Sequence, residues 1–367
     1  MKIALVREKV HRYGGAEKNV VFLAEGLLKA GHEVHIFAAA WDDPVAGAVY
    51  HRVLSKTFLP FLKPLVFARR VAAALAKERP CLVFSFERIF SPDVYRAGDG
   101  CHIEWMRRLG GERGLIGKIL IWLSPKHHVI LYLERRLFAD PKLRHVVTNS
   151  RMVKDEIIRN YGVPENRITV IYNGVEKVPG PASPETKAAL RRELGFAPDD
   201  YLVLFVGSNF ERKGLRYLIE AVKAVPQAKV IVVGKGDERA YRKIAQRNGV
   251  AGRVFFFGAR KDVDRFYAAA DIFVLPTLYD PFSNVTLEAM SHGLPVITTP
   301  DNGAAEVVQG GQEGVISHRL DIGAGLKTLS DRDVNEQMAK RAVVKATQFG
   351  SRSVIEKTLA LFSVADS

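Results

Sequence analysis

Cysteine is nearly absent: Cys81 and Cys101 are the two in 367 residues. Two thiols cannot build a disulfide framework, and neither has a second Cys or a His at metal-site spacing. A reduced protein without a bound metal is expected. Long apolar runs are missing as well, for no stretch approaches the roughly 18 uncharged residues that a membrane-crossing helix needs. The opening Met1-Lys-Ile-Ala-Leu-Val meets Arg7 and Glu8 before the apolar region of a signal peptide could form, so the expected location is cytoplasmic. Acidic residues are also in short supply: Asp and Glu number 40 against 54 Lys and Arg, a net charge of +14. Such a surplus attracts nucleic acid, anionic lipid head groups or phosphorylated substrates, or serves only solubility. No RNA-binding aromatic signature, zinc finger or helix-turn-helix accompanies it, so no nucleic-acid partner is expected.

What is present is globular composition, 47% hydrophobic and 26% charged, at a length that suggests two domains. Short β-branched, apolar runs fall at 2–6, 33–37, 81–84, 145–148 and 168–171, then at 201–206, 229–233, 253–257, 271–275 and 295–298. Near-continuous apolar runs separated by helical patterns predict parallel sheets covered on both faces. Val20, Leu23, Ala24, Leu27 and Leu28 form one helical stripe, with Gly31 at the expected C-terminal cap. The fold class is therefore α/β, with two doubly wound Rossmann-like domains. The turn-rich seam Tyr172-Asn-Gly-Val-Glu-Lys-Val-Pro-Gly-Pro-Ala-Ser-Pro184 divides them, giving domains at 1–171 and 172–350. Ligands of open α/β sheets bind beyond the carboxyl ends of the strands, which singles out the loops 7–15, 207–214, 234–238 and 276–284.

Gly14-Gly15, between the first strand and the first helix, is either a simple turn or a place where backbone approaches a ligand. It is not a dinucleotide fingerprint, and Gly234-Lys-Gly236 also stops short, with Arg239 where a third glycine would stand. The second loop, Val206-Gly-Ser-Asn-Phe-Glu-Arg-Lys-Gly214, sets Arg212 beside Lys213 at a strand-to-helix junction. Cations there oppose the helix dipole unless an anion binds, which favours phosphate binding over a solvated basic pair. The third loop, Thr277-Leu-Tyr-Asp280-Pro-Phe-Ser-Asn284-Val-Thr-Leu-Glu288, opens a helix capped by Ser283 or Asn284. The backbone N–H groups of Phe282, Ser283, Asn284, Val285 and Thr286 are expected to point out at the strand ends, where they could hold a phosphate. Asp280 and Glu288 could accept sugar hydroxyls, or Glu288 could be an ordinary surface residue.

These loops, in this order, resemble the retaining glycosyltransferases of family 4, which share the GT-B fold, and the resemblance covers nearly the whole chain. Its carriers are Gly14-Gly15, Val170-Ile-Tyr-Asn-Gly-Val175, Lys213-Gly214, Val232-Val-Gly-Lys-Gly236, Phe257-Gly258 and Leu287-Glu-Ala-Met-Ser-His-Gly-Leu-Pro-Val296. The family elbow carries two glutamates; here Asp280 replaces the first and Glu288 keeps the second, and Pro281-Phe-Ser-Asn284 stands for the usual G-F-G. Ser208 also stands where most members have arginine. Val-Gly-Ser-x-Phe-x-Arg-Lys-Gly, with Asp93-Val-Tyr-Arg-Ala-Gly-Asp99-Gly-Cys-His102, is similar to the members that add glucose to inner-core heptose of lipopolysaccharide. The resemblance implies an acceptor-binding first domain, a nucleotide-sugar-binding second domain with the cleft between them, and a C-terminal helix at 351–367 packing back on the first. Asp99 would contact the attacking hydroxyl, with His102 beside it in the acceptor site. Arg212 and Lys213 would hold the diphosphate and Glu288 the ribose, with Ser208 and Arg260 among the donor contacts and Asp280 in the catalytic group. A loop carboxylate capping a helix is the plainer reading of Asp99.

The stretch 105–138 carries Arg107, Arg108, Arg113, Lys118, Lys126, Arg135 and Arg136 against Glu112 and Glu134, with Leu115, Ile116, Ile119, Leu120, Trp122 and Leu123 around Lys118. That is the composition of an interfacial helix on anionic lipid, or of a helix buried in the first domain with its charges in water. The lipid-linked acceptor implied by the resemblance favours reversible contact with the inner membrane. His127 and His128 read as surface residues. The expected function is transfer of a hexose, glucose from UDP-glucose, onto a lipid-linked core saccharide, with no cofactor beyond the donor. Rival readings are a GT-B transferase with another donor and glycan acceptor, a sugar-nucleotide epimerase or hydrolase, and a non-catalytic polyanion-binding protein.

Overall fold

The structure, a computed structural model, describes residues 1–11 and 17–364. The chain divides into two compact units, Met1–Tyr172 with Arg352–Ser367, and Asn173–Ser351.

The first unit holds the strands β1 (Lys2–Val6), β2 (Lys9–Val10), β3 (Glu33–Ala38), β4 (Ala40–Trp41), β5 (Val49–Arg52), β6 (Leu82–Ser85), β7 (Val94–Ala97), β8 (His145–Thr148) and β9 (Ile168–Val170). Its helices are α1 (Glu17–Lys29), α2 (Lys63–Glu78), α3 (His102–Glu112), α4 (Gly114–Leu123), α5 (Pro125–Phe138) and α6 (Arg151–Tyr161). Seven strands form one sheet in the order β5-β3-β1-β6-β7-β8-β9, and β2 pairs with β4. All the pairings are parallel. The period of two explains why β1 is apolar throughout: Ile3 and Leu5 enter one core cluster while Ala4 and Val6 enter the cluster on the other face. The stripe on α1 lies in the first of these, and Gly31 ends the helix at φ +82°.

The second unit holds β10 (Tyr201–Val206), β11 (Ala228–Val233), β12 (Val254–Phe256), β13 (Ile272–Leu275), β14 (Val296–Thr298) and β15 (Gly314–Ile316), in the order β12-β11-β10-β13-β14-β15. Around them lie α7 (Pro184–Glu193), α8 (Leu215–Ala221), α9 (Glu238–Arg247), α10 (Val263–Ala269), α11 (Asn284–Ser291), α12 (Ile322–Leu329) and α13 (Arg332–Thr347). The chain then returns to the first unit as α14 (Ser351–Val364). Phe362 joins the core beside Phe84, and a Cβ on Gly26 of α1 would meet Ile355 and Leu359 at 3.1 and 3.2 Å, so glycine lets the two helices approach.

Five strands escaped the apolar-run reading, the two-residue pair β2 and β4 and three strands of the large sheets. Edge strand β5 is Val-Tyr-His-Arg and half-exposed, β7 carries Arg96, and β15 begins with a glycine. The two cysteines form no disulfide; Cys81 is exposed and Cys101 buried. No helix of the described residues is long and apolar enough to cross a membrane.

In the second unit the order reverses between β10 and β13, so the loops leaving these neighbours diverge and open a crevice at their carboxyl ends. Gly214 ties these loops together. Its φ is +74°, and a Cβ would lie 1.8 Å from the carbonyl oxygen of Pro276. Gly214→Ala must therefore strain the backbone and push the loops apart, a cost of roughly 2–4 kcal/mol. The expected result is a lowered urea midpoint for the second unit; an unchanged midpoint would show that the loops part there without penalty.

Candidate active site

The β10 loop turns on Asn209, a non-glycine residue at φ +62°, which accepts from the Arg212 and Lys213 N–H groups through its side chain (3.2 Å) and its carbonyl (3.1 Å). The Arg212 carbonyl then accepts from the Leu278 N–H and the Thr277 hydroxyl, both at 2.8 Å, strapping this loop to the one after β13. Between the straps the buried Lys213 ammonium pairs with the Asp280 carboxylate, with the Ser283 hydroxyl 3.5 Å away. The Arg212 guanidinium is half-exposed and makes no ion pair among the described residues. Both cations precede α8, whose N-cap is Gly214; with seven residues α8 is a short helix, and the charges sit in the turn before it.

Asp280 is placed differently from the expectation that it receives substrate hydroxyls: its carboxylate is engaged by Lys213. The elbow itself is held by Asn302, a residue the sequence reading missed. Its buried side chain accepts from the N–H groups of Ser283 (3.2 Å) and Ala304 (3.0 Å) and donates to the hydroxyls of Thr286 (3.2 Å) and Thr298 (3.0 Å). Ser283 is the N-cap of α11 by backbone conformation, without a side-chain cap bond. The expectation of five outward N–H groups is corrected accordingly: that of Ser283 goes to Asn302 and that of Thr286 to the Ser283 carbonyl (3.1 Å). Asn284 and Val285 begin α11, where N–H groups have no partner within the helix. The Asn284 side chain accepts from the Asn173 amide at 2.8 Å, and Phe282 is buried.

Glu288, one turn along α11, accepts from the Tyr267 hydroxyl at 3.1 Å, and Tyr267 stacks on His292 with centroids 5.0 Å apart. Burial, reinforced by this carboxylate, holds the phenol well above its ordinary range. Glu288 is thus anchored and half-exposed. Ser208 is exposed on the β10 loop. Arg260 is also exposed, but its guanidinium grips the Asp262 carboxylate at two points of 2.8 Å, a departure from the donor contact expected of it. The Gly14-Gly15 turn lies outside the described residues.

In the first unit Asp99 occupies the turn after β7, at the carboxyl end of the sheet, exposed and 3.8 Å from the Arg88 guanidinium. It does not cap α3. The Glu134 carboxylate does, accepting from the His102 N–H at 2.8 Å, while also accepting from Arg88 Nε (2.9 Å) and the Tyr161 hydroxyl (2.6 Å). Arg88 further donates to the Gly100 carbonyl at 2.9 Å, so the pair of half-buried Arg88 and buried Glu134 holds both sides of the Asp99 turn. Glu87 also feels this turn: burial raises its carboxyl, Arg7 opposes the shift and the Asp99 charge adds to it. Arg88 and Glu87 directly follow β6, so the strand-end rule could have found them; Glu134 lies in the middle of α5 and carries no such signal.

His102 Nε2 lies 2.7 Å from His127 Nδ1, and His128 Nε2 donates to the Trp122 carbonyl at 2.6 Å. His128 is exposed, as read from the sequence, while His127 is half-buried against His102 because α3 and α5 pack side by side. The basic segment splits in two. Ile121 and the half-buried Trp122 join Met106, Leu109 and Leu131 in a core cluster. Leu115 and Ile116 are 76% exposed, Leu123 68% and Leu120 63%. Arg107 and Arg108 are paired inward with Glu104 (2.7 Å) and Glu156 (3.0 Å), whereas Lys118, Lys126, Arg135 and Arg136 are exposed.

Burial, with Arg88 and His127 adding, lowers the His102 imidazole to about 3. Between that value and the ordinary 6.5 the unfolded chain takes up a proton that the folded chain refuses, so this contribution to stability is complete above pH 6.5 and is lost as pH falls. Urea midpoints at pH 7 and pH 4.5 should therefore drop less for His102→Gln than for the parent protein; an equal drop would place the acid sensitivity elsewhere.

A family model described as "Glycosyltransferase Family 4" matches residues 13–177, and one described as "Glycosyl transferases group 1" matches residues 200–329. A probable transglycosylase of Burkholderia thailandensis is 30% identical over 84% of this chain and 80% of its own length. The lipopolysaccharide glucosyltransferase WaaG of Escherichia coli K12 is 26% identical over 86% of this chain and 85% of its own. A crystal structure of WaaG superposes with a TM-score of 0.83 at 24% identity, covering 97% of this chain and 98% of that one. The structure of Anabaena HepE in complex with UDP-glucose gives a TM-score of 0.74 at 21% identity, covering 99% and 100%.

Proposed function

The chain belongs to the family 4 glycosyltransferases, with the GT-B fold, and from that premise we propose a retaining, metal-independent hexosyltransferase that moves glucose from UDP-glucose onto a lipid-linked core saccharide. The observation that carries this reading is the buried Lys213 beside the half-exposed Arg212 guanidinium and the first N–H groups of α11, all at the carboxyl ends of β10 and β13. An ammonium has three donors, so Lys213 can keep Asp280 and still donate to phosphate oxygens, while the Arg212 fork takes a second pair. The identity of WaaG as a lipopolysaccharide glucosyltransferase and the UDP-glucose bound to HepE support the donor and the acceptor class.

In this reading the bond between the anomeric carbon and the diphosphate oxygen breaks while the acceptor oxygen bonds to the same face of the sugar. The acceptor proton passes to the leaving phosphate, and UDP departs as its charge grows against Arg212, Lys213 and the α11 amides. Glu288, braced by Tyr267, receives ribose hydroxyls. Asp99 orients the acceptor hydroxyl, its turn held by Arg88 and Glu134, with His102 as a neutral imidazole.

Arg212→Ala should fold normally and weaken UDP binding by roughly 10- to 150-fold, the value of one or two charge-assisted contacts, with Lys213→Met weaker still; titration calorimetry reads both. Unchanged affinity in both would remove the phosphate assignment. Turnover of UDP-glucose without a saccharide acceptor at the full rate would favour an epimerase or hydrolase instead.

The exposed apolar face of α4, flanked by Lys118 and Lys126, fits an anionic lipid surface, which would bring the enzyme to a lipid-linked acceptor on the cytoplasmic face of the inner membrane. Leu120→Ser with Leu123→Ser should release the protein from phosphatidylglycerol vesicles while leaving its melting temperature unchanged, because both side chains already face water. Full retention on the vesicles would show that α4 does not touch lipid.

A further inference from the structure

Away from both strand-end sites, the amino-terminal half of the first sheet carries a group of side chains that the glycosyltransferase reading does not use. Glu33, His35 and Phe37 alternate along β3 and so share one face, and the parallel registers of β3 with β1 and β5 bring Lys2 and His51 onto it. Helix α2 ends over this face with Glu78. His35 Nδ1 lies 2.8 Å from His51 Nε2. The outer nitrogen of each ring faces a carboxylate, with His35 Nε2 2.7 Å from Glu33 and His51 Nδ1 3.7 Å from Glu78. One potential ligand atom from each of His35, His51 and Glu78 lies within 4.8 Å of the other two.

We propose that His35, His51 and Glu78 form a binding site for a divalent transition metal, Zn²⁺ by its ligand chemistry, that clamps edge strand β5 and the end of α2 to the sheet. Two imidazole nitrogens and a carboxylate oxygen are a borderline-soft donor set suited to Zn²⁺, with solvent able to supply a fourth position. Metal–nitrogen bonds of about 2.0–2.1 Å at a tetrahedral angle separate two ligand atoms by roughly 3.3 Å, and the three donors already lie within 4.8 Å of one another, so closing on an ion takes side-chain movements of about an ångström. Glu33 supplies the outer carboxylate that metal-bound histidines commonly carry, fixing which His35 nitrogen is free to ligate. Phe37 stacks on His51 with centroids 4.4 Å apart and His35 is buried, so the rings are held in place before an ion arrives. The Lys2 ammonium lies 3.0 Å from Glu78 Oε2, the other oxygen of that carboxylate. Oε1 of Glu78 is the oxygen turned toward His51.

The test uses the untagged full-length protein after chelator treatment, titrated with Zn²⁺ by calorimetry and with Co²⁺ by visible absorption. The expected result is one site per chain, a tetrahedral Co²⁺ spectrum, and a melting temperature raised by Zn²⁺ at pH 7.5 but not at pH 5, where protonated imidazoles cannot ligate. His51→Gln should abolish the site. Glu33→Gln, at an exposed position that leaves folding intact, should weaken it about 10- to 100-fold. His127→Gln, which breaks the chain's other imidazole pair, should leave it unchanged. No stoichiometric binding, as expected if the two rings merely share a proton, or equal binding by His51→Gln, would overturn the proposal.

Discussion

The ion pair between Lys213 and Asp280 is the constraint around which the second unit's crevice is arranged. A buried ammonium is costly to strip of water, and it is tolerated here because a carboxylate from the neighbouring loop meets it. That pairing fixes the β10 and β13 loops against each other, and the bonds to the Arg212 carbonyl and the close approach at Gly214 follow from the same proximity. Asn302 then fixes where α11 begins. In the proposed reading a phosphate-binding place is thereby prepared before any phosphate is present, which is how charge stabilisation avoids reorganisation during a reaction.

The first unit repeats this logic with different parts. An Arg88–Glu134 pair, its carboxylate buried, stands behind an exposed aspartate, and the pair's remaining donors and acceptors are spent on the backbone of the Asp99 turn and on the first N–H of α3. In the second unit the half-exposed Glu288 is likewise held by a buried group, Tyr267. Residues of this kind brace charged side chains without being visible as part of any motif.

The segment 105–138 shows how a composition argument divides once helices have faces. Its apolar residues divide between two sides of α4: Ile121 and Trp122 turn inward while Leu115, Ile116, Leu120 and Leu123 are exposed. The basic residues divide likewise, Arg107 and Arg108 neutralised by buried glutamates and the others left exposed. Net charge is therefore a poor measure of what this surface presents; the exposed subset is what a membrane would meet.

The sequence by itself determined the α/β class, the strands of the two sheet centres, the cap at Gly31 and which loops leave the carboxyl ends of the strands, because all of these depend on short-range periodicity and on the order of elements. It also named Arg212, Lys213, Asp280, Asp99 and Glu288. Only the tertiary structure decided that Asp280 is Lys213's partner, that Arg260 is taken by Asp262, that Glu134 rather than Asp99 caps α3, and that Asn302 holds the elbow. Each of these is a contact between residues far apart in the chain or a choice among nearby carboxylates, and such choices are made by packing geometry, which local pattern does not encode.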